Sequence, residues 1–169
     1  MKNIFLTGFM GCGKTSVGRV LSERLGYNFV DLDEAVVSEA GVSVKEIFAT
    51  QGESAFRRLE SEALQRIAAR TGVVVSTGGG AVIADANRAV MRHAGSIVNL
   101  TASVEAIADR LCGDSERPLL EGDASLDRIR NMLETREQFY EDADLRIDTT
   151  AKTVQSVTAE ILYSLKGCL

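Results

Sequence analysis

The sequence contains no uninterrupted apolar run near the roughly 18 residues that a membrane-spanning helix requires, which argues against such a helix. Its start, Met1-Lys2-Asn3-Ile4-Phe5-Leu6, runs into a glycine loop instead of a signal cleavage site, so a cytoplasmic location is expected. Positive charge is not in excess: 19 Lys and Arg stand against 24 Asp and Glu, a formal net charge of -5. That balance argues against a surface built to neutralise a nucleic-acid backbone, so no nucleic-acid partner is expected and any anion site must be local. Cysteine is scarce and widely spaced, at Cys12, Cys112 and Cys168, so neither a zinc site nor a disulfide framework follows. The single histidine, His93, falls near the end of an expected helix, where the dipole favours imidazole and a surface role suffices. The single proline, Pro118, lies in the least core-like stretch of the chain.

What is present fits a compact fold. Apolar residues make up 45% and charged residues 25%, near the averages for globular chains, and 169 residues suit one domain, 1–169. Short apolar runs alternate with longer segments of helical period, and turns rich in Gly, Asp or Ser follow the runs, the signature of βα units around a parallel sheet. Strands are expected at 3–7, 28–31, 73–76, 96–100 and 145–148. Helices are expected at 14–25, 33–40, 44–50, 53–70, 85–93, 104–111, 126–141 and 154–165.

The strongest motif is Gly8-Phe9-Met10-Gly11-Cys12-Gly13-Lys14-Thr15, a complete glycine, four residues, Gly-Lys-Ser/Thr pattern between a strand and an amphipathic helix. Such a loop aims backbone N–H groups and a helix N-terminus at phosphate, so Gly11, Cys12, Gly13, Lys14, Thr15 and Ser16 are expected to bind a nucleoside triphosphate. Lys14 would reach the β- and γ-phosphates, and the Thr15 hydroxyl would ligate Mg²⁺.

Asp31-Leu32-Asp33 follows at the carboxyl end of the second strand, where ligands bind in open α/β sheets. Spaced two apart on one strand face, the carboxylates could share a cleft, one serving Mg²⁺ and the other a substrate hydroxyl. The alternative for Asp33 is a helix N-cap. Arg136 borders the apolar stripe of its helix, so a carboxylate or a bound ligand must answer its charge. Arg57 and Arg58 can instead form i,i+4 pairs with Glu53 and Glu62. Gly78-Gly79-Gly80, at another strand end, discards side chains where a ligand or backbone approaches, unless it is a plain turn. Between Cys112 and Ser125 a polar stretch bracketed by Gly113 and Gly122 has the character of a lid or a surface loop, and Arg117 within it is placed to enter a closed site.

In order along the chain, Gly8 to Thr15, Asp31-Leu32-Asp33, Gly52-Glu53 with Phe56-Arg57 and Glu60, Thr77-Gly78-Gly79-Gly80, Arg117-Pro118-Leu119-Leu120, and Arg136 with Tyr140 closely resemble bacterial shikimate kinases. The resemblance spans nearly the whole chain and departs at Cys12, where a small residue such as Ala is more usual. It implies a three-layer α/β/α P-loop fold of the nucleoside-monophosphate-kinase type, with a five-stranded parallel sheet, a substrate-binding helical region at about 32–60 and a lid at about 112–124.

By that likeness ATP is the phosphoryl donor, Mg²⁺ the metal held by Thr15 and Asp31, and the 3-hydroxyl of shikimate the acceptor, a step of chorismate and aromatic amino acid synthesis. Asp33, Arg57, Gly78, Gly79, Gly80 and Arg136 would bind shikimate, with Glu60 steadying Arg57, and Asp33, Lys14 and Arg117 would act in catalysis. Arg110, Arg117 and the stretch after Asp148 would flank the nucleotide, and the protein would work as a monomer. The rival readings are a P-loop kinase of another hydroxy acid, such as gluconate, and a non-catalytic ATP-binding module.

Overall fold

The computed structural model describes residues 2–112 and 125–165. The strands are β1 (Asn3–Thr7), β2 (Asn28–Asp31), β3 (Val73–Ser76), β4 (Gly95–Thr101) and β5 (Leu145–Asp148). The α-helices are α1 (Lys14–Leu25), α2 (Leu32–Ala40), α3 (Val44–Gln51), α4 (Glu53–Ala68), α5 (Asp85–Ala94), α6 (Val104–Leu111), α7 (Leu126–Tyr140) and α8 (Val154–Ser164). The strands form one parallel sheet in the order β2-β3-β1-β4-β5, with helices on both faces. Four strand ranges match the apolar runs and β4 gains a residue at each end. Among the described residues, no helix is long and apolar enough to cross a membrane.

Central strands covered on both faces need apolar side chains throughout, and β1 and β3 are buried along their whole length. Buried Asn3 at the start of β1 is satisfied by its neighbours: Nδ2 donates to Ala68 O and Arg70 O, and Oδ1 accepts from Val73 N at 3.1 Å. Those bonds tie the end of α4 to the entry of β3. At the other edge, Gly18 of α1 leaves room for the ring of Phe29 of β2, since a Cβ there would stand 2.6 Å from Phe29 Cε2.

Two features depart from the sequence reading. Helix α2 begins at Leu32, which is fully buried, so Asp31 and not Asp33 is its N-cap, accepting from Asp33 N and Glu34 N. Asp33 therefore stands in the first helical turn, and the shared strand face inferred from its spacing does not exist. A short 3₁₀ turn, Ala81–Ile83, which the periodicity did not reveal, follows the triple glycine.

Candidate active site

The carboxyl ends of β1, β2 and β3 open into a cleft of about 1150 Å³. Its walls include Gly11, Gly13, Lys14, Thr15, Ser16, Asp31, Asp33, Arg57, Gly78, Gly79, Gly80, Arg110 and Arg136, so most residues singled out from sequence meet in one place. Arg117 and residues 113–124 of the expected lid lie outside the described residues.

The loop after β1 turns on glycines that have left-handed backbones. Gly8 has φ 134 and Gly13, capping α1, has φ 88; a side chain at Gly8 would also collide with Leu100 O. Lys14 is buried, and its Nζ donates to Gly8 O at 2.8 Å and to Phe9 O at 2.9 Å. The loop carbonyls thus hold the ammonium over the bend it encloses. Arg110 braces the same loop: Nη1 donates to Gly11 O at 2.9 Å, and Nη2 to Thr149 O at 3.0 Å. Thr149 Oγ1 in turn lies 3.2 Å from Cys12 O. Arg110, exposed on its helix, thus joins the phosphate loop to Thr149 and lines the cleft, whereas the cleft wall does not reach residues 149–152.

Cys12 takes no place in the cleft wall. It is 1% exposed, and burial pushes its thiol pKa up despite the nearby charges of Lys14 and Arg110. It faces a separate cavity of about 270 Å³ shared with Phe9, Asn99, Tyr140 and Arg146. Only its backbone is then available to a phosphate in the cleft.

Beside Lys14, Thr15 Oγ1 donates to Asp31 Oδ2 at 2.8 Å and lies 3.2 Å from Ser76 Oγ. Ser76 ends the apolar run of β3, and nothing in its spacing marked it. These three oxygens are hard donors, and among the described residues no three His, Cys, Asp or Glu side chains gather into a dedicated metal cage. That set fits Mg²⁺, which takes one or two protein oxygens and leaves the rest of its shell to phosphate and water.

The inner end of the cleft holds paired charges. Arg57 Nη1 donates to Glu60 Oε2 at 2.9 Å, and Nη2 to Glu53 Oε1 at 3.1 Å. Burial works against the Arg57 charge, but the two carboxylates outweigh it and hold the guanidinium pKa above its usual value. Glu60 is 0% exposed, and burial pushes its carboxyl pKa up to about 7 against the pull of Arg57. Arg58 by contrast is exposed and only reaches Glu62 at 4.0 Å.

Arg136 comes from α7 with 8% exposure, over the Phe9 ring at 5.8 Å. Its Nη1 makes no hydrogen bond among the described residues. Of the two partners the helical stripe left open for it, no carboxylate forms a salt bridge with it among the described residues. Tyr140, one turn later, donates from Oη to Gly79 O at 2.6 Å, and burial raises its pKa to about 12.

The triple glycine has a reason that sequence could not supply. A Cβ on Gly80 would strike the Arg57 guanidinium, and one on Gly78 would strike Glu60 Oε1 and stand 2.9 Å from Asp33 Oδ1. Side chains of the protein itself, not only a ligand, occupy the space those glycines leave. At Gly79 the nearest atom to such a Cβ is Met10 N at 3.4 Å, so there the protein makes no comparable demand.

A family model described as shikimate kinase matches residues 10–166. The chain is 54% identical over 167 residues to a shikimate kinase of Geobacter metallireducens, covering 99% of this chain and 93% of that one. Its fold matches a shikimate kinase from Acinetobacter baumannii in complex with shikimate, with TM-score 0.95 and 34% identity, covering 100% of this chain and 96% of that one. A gluconokinase from Sinorhizobium meliloti 1021, at 21% identity and TM-score 0.61 over 98% of this chain and 92% of that one, shares the fold alone.

Proposed function

The chain belongs to the shikimate kinase family, and from that premise we propose that it transfers the γ-phosphoryl group of ATP to the 3-hydroxyl of shikimate. The products are shikimate 3-phosphate and ADP, in the route to chorismate and the aromatic amino acids. The observation that carries this reading is Arg136: a buried guanidinium with an unbonded Nη1 opens on the same cleft as the phosphate loop. A buried cationic donor left without an acceptor is unfavourable, and a planar fork suits a carboxylate.

In this reading Arg57 and Arg136 bracket the acid group and the glycine turn at 78–80 closes on the ring. Asp33 accepts a hydrogen bond from the attacking hydroxyl and takes its proton as the new O–P bond forms. The bond between the γ-phosphorus and the β,γ-bridging oxygen breaks, and its electron pair leaves with ADP. Lys14 turns from the loop carbonyls to the β- and γ-phosphates, and the loop amides hold the chain of phosphates in line. Thr15 and Asp31 would hold Mg²⁺, which when bound neutralises charge on the phosphates. Catalysis then rests on positioning and charge rather than on a covalent enzyme intermediate. We place the protein in the cytoplasm, working as a monomer.

A coupled assay of ADP release tests this. Shikimate should stimulate release strongly and gluconate should not; equal rates with and without shikimate would overturn the assignment. Asp33→Asn should lower kcat by orders of magnitude while the KM for ATP stays nearly unchanged.

A further inference from the structure

The cleft wall contains a partly buried guanidinium, Arg57, a buried one, Arg136, and two carboxylates, Glu60 and Asp33, with the half-exposed Glu53 paired to Arg57. A substrate carboxylate, ionised near neutral pH, adds a third anion to this set. Lys14 in the same cleft is held by the loop carbonyls of Gly8 and Phe9, and a proton gained by one of the anions would relieve the added negative charge beside the two guanidinium groups.

Glu60 is the group best placed to change. It has no solvent contact, and only Oε2 is engaged, by Arg57. Its Oε1 is buried and makes no hydrogen bond among the described residues. That oxygen and Asp33 Oδ1 both lie within 2.9 Å of the point a Cβ on Gly78 would occupy, so the two carboxylates border the same small space and each raises the cost of charge on the other. The groups around it are few: Arg57 and Glu53 from its own helix, Asp33 from α2, Arg136 and Tyr140 from α7, and the uncharged glycines after β3.

We propose that shikimate binding draws a proton into the site and that the proton settles on Glu60. Neutral Glu60 releases Arg57 to the incoming carboxylate and relieves the repulsion with Asp33, so Glu60 acts as a positioning residue whose charge the substrate sets. The electrostatics run the same way. Burial already holds the Glu60 carboxyl at about 7, and Arg57 and Arg136 are what keep it from rising further. A carboxylate engaging both guanidinium groups weakens that opposing influence, and the affinity of Glu60 for a proton increases.

The inference rests on the shikimate reading, and calorimetry separates the two. Shikimate is titrated into the full chain at about pH 7.5 in phosphate and in Tris, whose ionisation enthalpies differ. The observed heats should differ between buffers by an amount that reports uptake of up to about one proton per site. In Glu60→Gln the buffer dependence should vanish while binding persists. Binding with equal heats in the two buffers overturns the inference alone, as does uptake that survives in Glu60→Gln. Absence of binding removes the shikimate reading and the inference with it. If Glu60→Gln does not fold, the wild-type affinity decides: it should weaken as pH rises from about 7, by up to about tenfold per unit for a full proton, and a flat profile overturns the inference.

Discussion

Thr15 Oγ1 donates to Asp31 Oδ2 at 2.8 Å, joining the first turn of α1 to the cap of α2. One carboxylate therefore has two duties, since Oδ1 also accepts from Asp33 N at 3.1 Å. Any movement of Asp31 is felt directly by Asp33, the residue assigned to the acceptor hydroxyl.

The two duties of Asp31 can be separated. Asn is as good an N-cap as Asp, so Asp31→Asn should alter stability by no more than about 0.5 kcal/mol, whereas Asp31→Ala should lose about 1 kcal/mol with the cap. Both remove the charge. Initial rates measured across a magnesium titration should show a higher half-maximal Mg²⁺ concentration in both variants. An unchanged requirement would release Asp31 from metal binding.

Arg136→Ala removes a charge-assisted contact of about 1.5–3 kcal/mol. The KM for shikimate should rise by about one to two orders of magnitude, with the KM for ATP little changed. Arg136→Lys should recover only part of this, because an ammonium lacks the planar fork. Steady-state kinetics with each substrate varied in turn check the assignment, and a wild-type KM for shikimate in Arg136→Ala would reject it.

The three glycines should not behave alike. In Gly80→Ala the new methyl displaces the Arg57 guanidinium and loosens its bond to Glu60, so the KM for shikimate should rise and the melting temperature fall. In Gly79→Ala the nearest atom is at 3.4 Å, so the fold should tolerate the methyl. Thermal melts of the two variants beside wild type distinguish them. Equal loss of stability at both positions would show that the glycines serve only as a turn.

How much of this was legible in the sequence depended on the range of the interaction. The phosphate loop was readable because every requirement is local: a strand, glycines at the bends and a helix starting at Lys14. Arg136 was readable because helical periodicity alone put it against the apolar stripe, and it is buried as that implies. The reason for Gly78 and Gly80 was not readable, since their counterparts Glu60 and Arg57 lie on α4 and meet them only after β3 has paired into the sheet. Asp33 was misplaced because nothing in the composition of Asp31-Leu32-Asp33 says which aspartate caps. Burial of Leu32 decides it, and burial belongs to the tertiary fold.

The state of Glu60 leaves a mark on stability as well. An ordinary value for its carboxyl is 4.5, and in the fold it stands at about 7. Below 4.5 the group is neutral whether the chain is folded or not. As pH rises from there to about 7 the unfolded chain releases the proton while the folded chain retains it, so wild type loses stability across that window, and above it the loss is complete. Glu60→Gln has no proton to release, and its other groups titrate as in wild type. The melting temperature of Glu60→Gln minus that of wild type should therefore grow between about pH 4.5 and 7 and then level off, whatever its starting offset. Each kcal/mol moves the midpoint by about 2–4 °C in a chain of this size, so melts at unit steps of pH resolve the trend. A difference constant with pH would mean that the folded protein holds Glu60 in the same state as the unfolded chain. With saturating shikimate present, the levelling point should move to higher pH, because the bound acid strengthens the hold of Glu60 on its proton.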